Sequence, residues 1–166
     1  MPKDCQDRIV IKVLKTRKLV EECREASAYS PQFRESWIIF DRDQVPNFDE
    51  IIEEAKADDI HVGWSNPCIE IWFDAYFGKM HPYMDSVSCC SGFAHTFKQK
   101  TGKEYKKANL QIYQNLVEFG DEAEAIKIAN NRYGQFLKDN DKKPSDMCPC
   151  TTVQELIGEI RDKTKK

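Results

Sequence analysis

The chain has 166 residues and a formal net charge of −3, with 25 Lys and Arg set against 28 Asp and Glu. That length suits one domain with a real core, burying roughly two thirds of its unfolded surface, and the balance excludes a global basic field while leaving room for a local patch. No apolar run of about 18 residues predicts a membrane span, and Met1-Pro2-Lys3-Asp4-Cys5-Gln6-Asp7 is too polar for a secretory leader, so a cytoplasmic protein is expected.

Ile9-Val10-Ile11-Lys12-Val13 is a β-branched run of strand length. Thr16 to Ala26 then predicts a helix, with Leu19, Val20, Cys23 and Ala26 at helical spacing, and Pro31 closes the unit. Trp37-Ile38-Ile39-Phe40 is apolar on both faces, as expected of a parallel strand covered on both sides. It ends in Asp41-Arg42-Asp43. Residues i and i+2 of an extended chain share a side, so the two carboxylates can aim at one point beyond the strand end. There they repel unless a cation or a proton sits between them.

Pro46 and Asn47 open the next helix, with Asn47 as N-cap and Phe48, Ile51, Ile52 and Ala55 facing inward. Asp49, Glu50, Glu53 and Glu54 read as a solvated face matched to the helix dipole. Ile60 to Trp64 predicts a third strand, with His61 half-exposed, and Ser65-Asn66 follows at its end. Pro67 suits the first turn of a helix running to about Gly78, apolar nearly all round and therefore buried. Glu70 in that turn has two compatible readings, a cap on backbone amides and an acid of a site. Strand and helix alternate throughout, which implies right-handed βαβ units and a parallel sheet. Ligands of such sheets bind beyond the carboxyl ends of the strands, where Asp41, Asp43, Ser65 and Asn66 all fall.

The second half is helical in texture. Tyr83 to Lys100 predicts a loop giving way to a helix carrying Phe93 and Phe97, then a basic turn, Gly102-Lys103-Glu104-Tyr105-Lys106-Lys107. Leu110, Tyr113, Leu116 and Val117 form a helical stripe that stops at Gly120. Asp121 caps a helix with Ile126, Ala129, Tyr133, Phe136 and Leu137 inward. After a polar loop, Thr151 or Thr152 caps a last helix with Val153, Leu156, Ile157 and Ile160 inward. The chain reads as a single domain, 1–166, with an α/β core over 1–80 and a helical portion over 81–166.

The seven cysteines read as buried small hydrophobes in a reducing compartment. Cys89, Cys90, Cys148 and Cys150, even with His81 and His95, match no structural-zinc spacing. Cys68, after Pro67 at a helix start, can have a lowered pKa, but an apolar helix favours the buried reading. No Gly-rich nucleotide loop or P-loop occurs.

The Phe-Asp-x-Asp strand end, the segment Ser65-Asn66-Pro67-Cys68-x-Glu70-x-Trp72, the Tyr105-x-Lys107 turn and Cys150-Thr151-Thr152-Val153-x-x-Leu156 resemble the RloB-like family over roughly residues 9 to 161. The resemblance implies a Toprim-like parallel sheet flanked by helices. It also implies an Mg²⁺-dependent (or Mn²⁺-dependent) nuclease or nucleic-acid phosphotransferase encoded in restriction-associated, antiviral defence loci, with DNA or RNA as substrate. An ATPase of the structural-maintenance or ABC type is the implied partner protein. In this reading Asp41 and Asp43 hold the metal, Glu70 is an auxiliary catalytic acid, and Ser65 and Asn66 orient substrate or the metal's surroundings. Lys103, Lys106 and Lys107 contact phosphate.

The family pattern departs in one respect. Toprim domains carry a further glutamate, in a Glu-Gly context, at the end of an earlier strand, and nothing before Ile9 matches it. The chain therefore reads as beginning inside the domain, with a sheet edge open to pairing in a homo-oligomer. Two readings compete with the nuclease: a non-catalytic module that docks on an ATPase or on nucleic acid, and a phospho-acceptor receiver, whose first-strand acid pair and last-strand Lys are not evident.

Overall fold

The computed structural model describes residues 9–13, 16, 18–29, 35–43, 45–139 and 141–164. Met1–Asp7, with Cys5, lies outside the described residues, as do Pro31 and Gln44. The described chain is α/β, a small mixed sheet of three strands flanked by seven helices. In chain order these are α1 (Leu19–Tyr29), β1 (Trp37–Asp41), α2 (Phe48–Ala57), β2 (His61–Asn66), α3 (Glu70–Ala75), α4 (Ser86–Thr101), α5 (Ile112–Phe119), α6 (Glu122–Phe136), β3 (Cys150–Thr151) and α7 (Val153–Thr164).

β1 and β2 run parallel, with Trp37 opposite His61 and Asp41 opposite Ser65. The ladder continues past β1, where the Arg42 N–H donates to the Ser65 carbonyl at 2.8 Å and the Asp43 N–H to the Pro67 carbonyl at 3.2 Å. This brings the end of β1 alongside the turn that enters α3. The crossover helix α2 buries the expected stripe, Phe48, Ile51, Ile52 and Ala55, against the sheet.

β3 pairs antiparallel with β2, Thr151 opposite Ser65 and Cys150 opposite Asn66. Two threonines bind it there. Thr151 donates to the Trp64 carbonyl at 3.0 Å, and the Thr152 hydroxyl accepts from the Trp64 N–H at 3.0 Å. The Thr151 hydroxyl also accepts from the Val153 N–H and so starts α7. The C-terminal half thus supplies a strand and a helix to the sheet, in addition to the expected helical portion.

Most of the core lies between α3 and the later helices. Ile71, Trp72, Ala75 and Tyr76 pack with Phe93 and Phe97 of α4, Leu116 of α5 and Ala125 and Ala129 of α6. Caps behave as chemistry dictates, with Asp121 accepting from the Glu124 N–H and Asp85 from the Ser88 N–H. Asn47 precedes α2 without a side-chain capping bond.

Some expectations fail. Ile9–Val13 forms no strand, and Val10, Ile11 and Val13 are exposed, since β-propensity is realised only where a ladder partner and a packed face exist. Ile39 is 48% exposed, so β1 is not covered on both faces. The stripe of α5 is reduced to Leu116, because the helix begins at Ile112 and Leu110 precedes it, while Tyr113 and Val117 face outward. Leu137 is exposed because α6 ends one residue earlier. Among the described residues, no helix is long and apolar enough to cross a membrane.

Candidate functional site

Glu70 is the centre of the site, and it is 0% exposed. Apolar neighbours on α3 leave it in a dry setting, where an unpaired carboxylate would be costly. The Tyr105 hydroxyl donates to Oε1 at 2.7 Å, and Lys107 Nζ lies 3.9 Å from the same oxygen. Oε2 is buried without a hydrogen-bond partner. Burial works against its charge, but the Tyr105 hydroxyl, the Cys68 thiol and the Lys107 ammonium together hold Glu70 below the usual glutamate range. The same carboxylate raises Lys107 above the usual lysine range.

The basic turn is aimed by aromatic packing. Phe93 of α4 meets the Tyr105 ring edge-on at 4.8 Å, and Phe97 meets it at 5.9 Å. With the ring fixed, its hydroxyl points at Glu70 and Lys107 follows two residues later. The sequence places Tyr105 in the basic turn and in the family resemblance, but nothing local shows that its hydroxyl reaches 35 residues back.

Asp41 ends β1, half-buried, and its carboxylate accepts from the Ile69 N–H. Burial, the Glu70 carboxylate and, more weakly, Asp43 push its carboxyl up to about 7, against the opposing pull of Lys107 and that N–H. Asp43 sits on the turn beyond β1 and is exposed. β1 ends at Asp41, yet the backbone bonds of Arg42 and Asp43 keep the chain alongside Ser65 and Pro67, and Asp43 still acts on Asp41. Asp41 lies opposite Ser65 on the β1–β2 ladder, and the Glu70 carboxylate acts on it electrostatically.

The other predicted residues divide. Ser65 is buried with its hydroxyl 3.0 Å from that of Thr151, and the Asn66 amide donates to the Ser145 carbonyl at 3.0 Å. These two pin the 144–151 segment to β2. Lys103 bonds Asn115 Oδ1 at 2.5 Å and lies 5.2 Å over the Phe119 ring, turned to α5. Lys106 is exposed on the same turn as Lys107.

An acid raised by burial and by a neighbouring carboxylate, and an orphaned carboxylate oxygen, are features that a divalent cation would relieve. The donors Asp41, Asp43 and Glu70 are all carboxylate, which suits Mg²⁺ or Mn²⁺. A second arrangement shares Glu70. The donor atoms of Cys68, Glu70 and Cys90 all lie within 4.8 Å of one another, and neither Asp41 nor Asp43 belongs to that group.

No curated protein and no solved structure matches the chain. A family model described as RloB-like protein matches residues 5–160, nearly the whole sequence, and the chain therefore belongs to the RloB-like family.

Proposed function

We propose that this chain is a Mg²⁺-dependent domain for nucleic-acid phosphotransfer, a cytoplasmic nuclease of antiviral defence, with Asp41 and Asp43 as metal-holding residues. The observation that carries the reading is the half-buried Asp41, raised to about 7 beside a fully buried, ionised Glu70 at the carboxyl end of two parallel strands. A cation bound there would shield phosphate charge and activate an attacking water.

The chain's own residues prepare the site. Tyr105 fixes Glu70, so its negative charge stays in place and acts on Asp41. Lys107 sits between the acids and solvent, where its ammonium can meet a phosphate oxygen. Glu70 also supports the reading from another direction, since its charge acts on Asp41 and it offers a third carboxylate there. An ATPase partner and the defence role rest on the family resemblance.

The test is nicking of plasmid DNA and of tRNA with Mg²⁺ or Mn²⁺, comparing wild type with Asp41→Ala/Asp43→Ala. Cleavage by wild type that falls at least a hundredfold in the variant is expected. Nucleic-acid binding by wild type without cleavage under any metal would replace this reading with the non-catalytic binding module.

A further inference from the structure

We propose that Cys68, Cys90 and Glu70 form a second, thiolate-rich cation site that takes Zn²⁺ or a similarly soft divalent metal. It goes beyond the functional reading above, because Asp41 and Asp43, assigned there to Mg²⁺, are not ligands here and Glu70 alone borders both sites.

The geometry is that of a site already assembled. The Cys68 and Cys90 sulfurs lie 4.0 Å apart. Two thiolates at ~2.3 Å from a tetrahedral zinc ion stand about 3.8 Å from each other, so only a small adjustment is required. Glu70 supplies the third donor. Its Oε1 is occupied by Tyr105, whereas Oε2 is fully buried with no partner, a condition that native interiors rarely tolerate.

The three ligands come from well-held elements. Cys68 and Glu70 lie two residues apart at the entry to α3, and Cys90 lies in the second turn of α4 beside buried Cys89 and Phe93. Cys90 is only half-buried, which leaves a route from solvent and a fourth position for water. Charge also balances. Two thiolates and one carboxylate carry three negative charges, offset by the metal ion and the Lys107 ammonium next to Glu70. Binding releases the two thiol protons to solvent and changes no oxidation state. Sulfur donors select zinc-like metals over Mg²⁺, so the two sites would not compete for one ion.

The experiment uses the full chain, reduced, stripped with chelator and titrated with Co²⁺ as a spectroscopic probe. About one equivalent should give thiolate-to-metal charge-transfer absorption with tetrahedral ligand-field bands, and Zn²⁺ should abolish both. Cys90→Ser should lose at least half of the charge-transfer intensity, and Cys68→Ser/Cys90→Ser all of it. Glu70→Gln should weaken Co²⁺ binding at least tenfold. Cys23→Ser and Asp41→Ala/Asp43→Ala should keep the wild-type spectrum, so failure of the nuclease reading and failure of this one are separate results. Absence of charge-transfer absorption in wild type overturns the proposal. So does an unchanged spectrum in Cys90→Ser shown folded by circular dichroism, or loss on Cys89→Ser with Cys90→Ser unaffected. Cys90 is half-buried and its serine variant is the mildest change, so the outcome does not depend on the double variant folding.

Discussion

At the scale of single residues, Asp41 and Glu70 divide one problem between them. Burial and mutual repulsion keep two neighbouring carboxylates from both ionising freely, and Tyr105, Cys68 and Lys107 favour the charge on Glu70. Glu70 stays charged, and Asp41 is raised from 3.8 to about 7. Because the folded state then holds a proton that the unfolded chain has lost, stability should fall as pH rises from about 4 to about 7. Thermal melts in chelator should show that fall, and Asp41→Asn should flatten it; an identical slope in the variant would contradict the assignment. Tyr105→Phe leaves a buried carboxylate short of a donor and should cost about 1–3 kcal/mol in denaturant unfolding. The lysines separate in the same way. If nucleic acid binds at the acid cluster, Lys106→Ala should lower the salt slope of binding by about 1, whereas Lys103→Ala, committed to Asn115, should leave it unchanged.

Among elements, the junctions decide the architecture. Gly120 ends α5 where its backbone approaches Tyr76, and a Cβ there would lie 2.6 Å from the Tyr76 carbonyl oxygen. Gly120→Ala should therefore destabilise by about 1–3 kcal/mol, measured by chemical denaturation. A cost below a few tenths would show that the α3–α5 approach is not tight. Elements with strong periodicity were legible in the sequence. The stripe of α2, the phenylalanines of α4 and the caps of α6 and α7 follow from local spacing alone. Elements that depend on distant partners were not. Ile9–Val13 has strand composition but forms no ladder, and Cys150-Thr151 becomes a strand because Ser65 and Asn66 lie beside it.

For the whole molecule, the fold brings three remote segments to one point: the end of β1, the entry to α3 and the turn after α4. The carboxyl-end rule for parallel strands located the first two from sequence. The third was invisible in local pattern, because Tyr105 and Lys107 reach Glu70 only once α4 has packed on α3. Asp43 lies on an exposed turn just beyond the end of β1, and its charge still acts on Asp41. The most direct measurement is Mn²⁺ binding followed by electron paramagnetic resonance at neutral pH. Wild type should bind in a form displaced by Mg²⁺, and Asp41→Ala/Asp43→Ala should bind at least tenfold more weakly; equal binding by the two proteins would contradict the site.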